Sequence, residues 1–166
     1  MKINVKNRAV LHKYGRDILE SGGMEREKEF MHHGKTSVYE HSVAVALMCI
    51  GIAAFLGIRV NRRALVRGAL LHDYYLYDWH VPDPRHRYHG FIHADTALRN
   101  AQRDFALGAI EKDMIKKHMF PLNIALPKYR ESVILCAADK ICATRETVSG
   151  MISRARLAAS SVIRAM

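Results

Sequence analysis

Cysteine, proline and tryptophan are scarce in this chain of 166 residues, and acidic residues are outnumbered. The three Cys, Cys49, Cys136 and Cys142, are odd in number and form no CxxC pair. Each lies in an apolar or helical context, so they are expected to be reduced core thiols of a cytoplasmic protein. The four Pro fall in two short segments, 82–84 and 121–127, which leaves the rest of the chain free for long helices. The N-terminal "MKINVKNRAVLHKYG" has no continuous apolar stretch and does not look like a signal peptide. The longest uncharged apolar run, "VAVALMCIGIAAFLGI" (43–58), falls short of the roughly 20 residues a membrane span requires. It is expected to be a buried core helix, and no membrane association is expected.

Acids are the minority charge, 16 against 26 Lys and Arg, giving a formal charge of +10 and a pI near 9.8. The bases cluster in "KINVKNR", "RVNRRALVRG" and "SRARLAASSVIR". They form either a solvated basic surface or an attraction for an anionic partner, whether nucleotide, phosphorylated metabolite or nucleic acid. No nucleic-acid-binding motif, aromatic platform or repeat selects the last of these. With 49% hydrophobic residues and 25% charged, the length suits one globular domain with a substantial core.

Helical periodicity dominates, and no run alternates well enough to be a strand. A first helix is expected over 7–20, ended by "SGG", and a short second one over 24–32. Ser37 followed by Glu40 is a capping-box pattern for a helix over about 38–56 that stops at Gly57. Asn61 is a plausible N-cap for 62–74. "DWHVPDPRHRYHG" (78–90) is a loop, and "IHADTALRNAQRDFA" and "GAIEKDMIKKHM" are helical. The chain beyond "FPLNIALP" is one long helical stretch with an interruption expected near Gly150. The fold class is all-α, with six to eight helices. "GKTS" (34–37) resembles the end of a P-loop, but Glu29 stands where the upstream Gly belongs and no strand precedes it.

"LLHDYYLYDWH" (70–80) places His72 and Asp73 side by side at the end of an apolar run. His41 lies one turn into an otherwise apolar helix, as either a satisfied core histidine or a ligand. Asp139 sits within "VILCAADKICA", where an unpaired buried carboxylate is costly and a metal is an economical partner. His93 and His118 are placed at helix ends, as cleft ligands or as solvated caps. Four His and two Asp without thiolate suit Fe, Mn, Zn, Co or Ni.

In this order the residues "YEHSVAVA", "ALLHDYY" and "AADKICA" resemble the HD-domain superfamily of metal-dependent phosphohydrolases, whose pattern is His, His-Asp, Asp. The resemblance spans roughly 36–145 and implies a single HD domain over 1–166 with helical extensions at both ends. His93 and His118, 25 residues apart, resemble the inserted pair of the binuclear branch, which includes HD-GYP phosphodiesterases and some di-iron oxygenases. Tyr74-Tyr75-Leu76 replaces Ile-Gly-Lys, the GYP segment is absent and Ala94 follows His93 where Pro is common. Cyclic-di-GMP specificity is therefore not carried over.

The resemblance implies two divalent ions per chain, Fe or Mn first and Zn, Co or Ni otherwise. His41, His72 and Asp139 would hold one, His93 and His118 the other, with Asp73 as the bridging, catalytic carboxylate. A hydroxide formed at this centre would cleave a phosphate ester of a nucleotide or small metabolite. The alternatives are a mixed-valent di-iron oxygenase and a non-catalytic nucleotide- or nucleic-acid-binding module. For the small anionic substrate, Arg85, His86, Arg87 and His89 form either a phosphate-binding rim or an exposed loop. Lys140 and Arg145 are further candidate contacts, His89 is an alternative ligand to His93, and His32 and His33 are candidate outer-shell groups. The oligomeric state is left open.

Overall fold

The computed structural model describes residues 5–33, 36–84 and 88–164, with residues 33 and 154–164 by backbone alone. Seven helices and one two-stranded pair occur among the described residues: α1 (Val5–Leu19), α2 (Gly22–Arg26), β1 (Met31–His33), β2 (Thr36–Ser37), α3 (Val38–Phe55), α4 (Arg62–Leu71), α5 (His89–Asp104), α6 (Ala109–Lys117) and α7 (Arg130–Arg164). The fold is all-α. Helix α3 packs on α4, α7 and α1; α4 also packs on α1 and α6; and α5 and α7 flank α6.

The ends of α3 form as its sequence dictates. Ser37 Oγ accepts the Glu40 N–H at 3.2 Å, and Glu40 Oε2 accepts the Ser37 N–H at 2.9 Å, a reciprocal capping box. Gly57 follows the helix at φ +63°, a conformation that favours glycine. Helix α3 is long and apolar enough by composition to cross a membrane. Here its buried stripe of Val38, Val45, Ala46, Cys49, Ile50 and Ala53 joins the core. Asn61 Oδ1 caps α4 by accepting the Ala64 N–H at 3.0 Å. Every residue of α4 from Ala64 to Leu71 is buried, including Arg67, which pairs with Asp17 at 2.6 Å. All three Cys are free and buried.

Three expectations need correction. The second helix stops at Arg26, where 24–32 was expected, and two short strands follow where none was expected. The cause is non-local. The N–H groups of α3's first turn, which have no acceptor within the helix, find acceptors upstream, Val38 N–H on Phe30 O and Tyr39 N–H on Glu27 O. Those bonds bring Met31 opposite Ser37, antiparallel. Finally, α7 runs through Gly150 without a break. A helical glycine costs only about 0.5–1 kcal/mol relative to Ala, too little to end a 35-residue helix.

Gly68 on α4 marks a close approach. A Cβ there would lie 2.6 Å from Met114 Sδ on α6.

Candidate metal centre

Five elements bring the chemistry-bearing residues together. The capping box fixes the first turn of α3, which carries His41. Helix α4, buried all round, ends in the interior at its C-cap His72, with Asp73 next. Beyond them Asn100 Nδ2 donates to the carbonyls of Tyr74 and Tyr75 at 3.1 and 3.0 Å, and Leu76 turns the chain at φ 60°. His93 lies one turn into α5, His118 caps α6, and Asp139 projects from α7. All six are buried, Asp139 at 9% being among the most exposed.

Three of the imidazoles share one polarity. His72 Nδ1 faces Ala69 O, His93 Nδ1 faces His89 O and His118 Nδ1 faces Ile115 O, each at 2.8 Å. A carbonyl only accepts, so each Nδ1 carries the ring proton and each Nε2 presents a lone pair inward. His41 stands between two carboxylates, its Nδ1 3.0–3.1 Å from Glu146 and its Nε2 3.1 Å from Asp139 Oδ1, so either ring nitrogen can carry the proton. Outer partners of this kind set the tautomer and orientation of metal-binding histidines.

The inward nitrogens divide between the two oxygens of Asp73. Oδ1 stands 3.4 Å from both His93 Nε2 and His118 Nε2. Oδ2 stands 3.5 Å from His72 Nε2 and 3.9 Å from His41 Nε2. Asp139 Oδ1 closes this second group, 3.1 Å from His41 Nε2 and 3.7 Å from His72 Nε2. Donor atoms about 2.1 Å from a common cation are roughly 3 Å apart, the scale seen here. Within each of the triads His41–His72–Asp73 and Asp73–His93–His118 the donors lie within 4.8 Å of one another.

The donor set fits metal on two further grounds. His72 Nε2 and Asp73 Oδ1 are buried without a hydrogen-bond partner, although other donor atoms surround them. His93 Nε2 and His118 Nε2 approach to 2.8 Å with both ring protons on Nδ1. Two lone pairs so close repel unless a positive charge lies between them.

Protons on the imidazoles and a cation would serve the carboxylates alike, by supplying positive charge. Burial pushes the Asp73 carboxyl up, but His72, His118, His32 and His93 outweigh it and hold the group well below the usual carboxylate range. Asp139 is likewise lowered against burial by His41 and His72. Burial drives His118 down, whereas in His72 the charges of Asp73 and Asp139 overcome burial and raise it. Glu27 is the exception: burial, helped by the charge of Asp73, lifts its carboxyl well above the usual range. Both its oxygens are buried without a hydrogen-bond partner.

A cavity of about 570 Å³ opens onto Asp73, His93, His118 and Asp139. Its walls include Trp79, Met119, Pro121, Leu122 and Lys140. Lys140 Nζ donates to His118 O and Cys136 O at 3.3 and 3.4 Å. His89 lines the cavity beside His93, not among the clustered donors. Its Nδ1 meets the Tyr77 hydroxyl at 2.9 Å, and its ring stacks on Trp79 and His93. Arg145 lines a different groove, with Ile141, Val148 and Ile152. Six residues past Asp139, it lies roughly 240° around the helix. Arg85, His86, Arg87 and the His33 side chain lie outside the described residues, as do Gly34 and Lys35 of "GKTS"; its Ser37 is the α3 cap.

Sequence reasoning passed over two groups. Glu146 follows Asp139 by seven residues, two helical turns on the same face, and that spacing could have found it. Glu27 stands within "MEREKE", where nothing marks one acid as buried.

A family model described as HD domain matches residues 38–144, well over half of the chain. The chain belongs to the HD domain family. The matched segment begins at the first residue of α3 and runs past Asp139, so it contains His41, His72, Asp73, His93, His118 and Asp139 but neither His32 nor Glu146. HD domain proteins are in general metal-dependent phosphohydrolases. No curated protein and no solved structure matches this HD domain chain.

Proposed function

We propose that this HD protein is a phosphohydrolase that uses two divalent cations, Fe or Mn, to cleave a phosphate ester of a nucleotide or small metabolite. The observation that carries the reading is the division of Asp73, one oxygen toward His93 and His118, the other toward His41 and His72. His41, His72 and Asp139 would hold one ion and His93 and His118 the other, with Asp73 between them. When bound, such a pair lowers the pKa of a water and neutralises charge developing on phosphoryl oxygens.

The chain's own residues do the rest. Contacts at Nδ1 keep the Nε2 atoms of His41, His72, His93 and His118 aimed inward without reorganisation. Lys140 places a positive charge at the cavity wall, where a phosphate can meet it. Trp79, Met119, Pro121 and Leu122 give an apolar wall for the organic part of the ester and displace water.

Phosphate release from a panel of nucleotides and sugar phosphates, with Mn or Fe supplied, tests the reading. Turnover lost on chelation is expected. A fully metallated protein inactive on the whole panel would refute it. Oxygen consumption with an organic substrate would point to a di-iron oxygenase, and salt-sensitive nucleic-acid binding without turnover to a binding module.

A further inference from the structure

We propose that His32, carried by the β1–β2 hairpin outside the HD motif, is a fifth histidine ligand that closes the half-site of His41, His72 and Asp139. The half-site of His93 and His118 is then the open one. The inference rests on the two-cation reading above and assigns unequal roles to its two halves.

Position comes first. The flanks of His32 are fixed by the pairing of Met31 with Ser37 and by the Val38 N–H bond to Phe30 O. Its ring stacks on His41 with centroids 3.8 Å apart and planes 22° apart. Its Nε2 stands 3.2 Å from Asp73 Oδ2, nearer than either His41 or His72.

Polarity follows. His32 Nδ1 faces Glu146 Oε2 at 3.5 Å, and the same carboxylate holds His41 Nδ1 at 3.0 Å. Both neighbours of the ring are carboxylates, which only accept; a cation at Nε2 would replace the proton shared with Asp73 and leave the other on Nδ1, facing Glu146. His41 stands likewise between Glu146 and Asp139. The Glu146 carboxylate thus lies beside two rings of one half-site, the place outer carboxylates take beside ligating histidines.

Ligand counting gives the consequence. With His32 the Oδ2 side has His41, His72, His32, Asp139 and Asp73, five protein donors. The Oδ1 side has His93, His118 and Asp73, a two-His, one-carboxylate set of the kind that leaves positions open. A closed site holds its ion for structure and an open one takes water or substrate. Both histidines of the Oδ1 side line the cavity; on the Oδ2 side His32 and Asp139 line it and His41 and His72 do not.

Cobalt(II) alone tests this, because its visible bands report coordination without any substrate. The metal-free full chain is titrated with Co²⁺ as parent, His32→Ala, His32→Gln and Glu146→Gln, with far-UV dichroism to confirm folding. The parent is expected to take two equivalents. In both His32 variants one equivalent weakens at least tenfold and its visible spectrum changes, and added imidazole restores that spectrum in His32→Ala. Glu146→Gln weakens the same equivalent about 10- to 100-fold, as loss of an outer partner does. His32 variants with parental spectra and both affinities unchanged would overturn the inference while leaving the two-cation centre standing. So would loss of the equivalent that His118→Ala also removes. A parent that binds no Co²⁺ would sink the metal centre itself. If His32→Ala fails to fold, the spectrum of His32→Gln decides.

Discussion

Asp73→Asn tests the bridge at its most exposed premise, that both oxygens and the charge are used. The amide keeps the shape but offers one acceptor oxygen and one NH₂ donor. Whichever way it turns, NH₂ faces either His93 and His118 or His41 and His72, so one half-site loses its oxygen and both lose the charge. Deleting an outer partner of a ligand costs about 10- to 100-fold in metal affinity, so losing the bridge itself should cost more than about 100-fold. With free metal at 100 times the parental Kd, the parent gains about 2.7 kcal/mol, whereas a variant bound 100-fold more weakly gains about 0.4 kcal/mol. At 2–4 °C per kcal/mol for a domain of this size, the metal-dependent rise in Tm shrinks from roughly 5–11 °C to about 1 °C. Thermal unfolding of both proteins with metal and with chelator, alongside metal content, measures this. If Asp73 were only an acid at the C-terminal end of α4, neutralising it would relieve about 0.3–1 kcal/mol of unfavourable dipole interaction. Metal content would not change. A variant that keeps the parental metal shift and full metal content refutes the bridge.

His118→Ala should lower the metal content from two ions per chain toward one, by elemental analysis, with little change in helical dichroism. An unchanged count would remove His118 from the centre. Ser37→Ala breaks the capping box that fixes the first turn of α3 and should cost about 0.5–2 kcal/mol, read as a lower urea midpoint at unchanged m. Asp113 accepts from Lys117, the Lys128 N–H and Ser132, which outweigh burial and hold its carboxyl below the ordinary 3.8. A lowered folded pKa gives stability that is complete above the unfolded value and lost as pH falls through the folded one. The deficit of Asp113→Asn in urea unfolding should therefore be full at neutral pH and shrink below about pH 4; a deficit constant down to pH 2 would contradict this.

What was legible in the sequence is what the chain encodes locally. Ser37–Glu40 and Asn61 announce helix starts because their caps are made within three residues. His41, His72-Asp73 and Asp139 stand out because polar groups in apolar helices need a reason. The hairpin was missed because its cause is a pair of hydrogen bonds from α3 back to Glu27 and Phe30, which no local pattern records. His32 was no more than a candidate outer group for the same reason: its place over Asp73 depends on that reversal. Arg145 and Glu146 are neighbours in sequence, yet helical rotation puts one in a separate groove and the other against His41.

The contact between Gly68 and Met114 reaches further than packing. His72 follows Gly68 by four residues and His118 follows Met114 by four, so each imidazole stands one turn above the point where α4 and α6 touch. Their rings, 5.0 Å apart and edge to face, belong to opposite halves of the centre. The gap between the two halves is thus gauged from below, by a hydrogen atom where any other residue would carry a carbon. Replacing that hydrogen is expected to alter the spacing of His72 and His118 while leaving every donor in place, an adjustment of the centre made without touching any of its own groups.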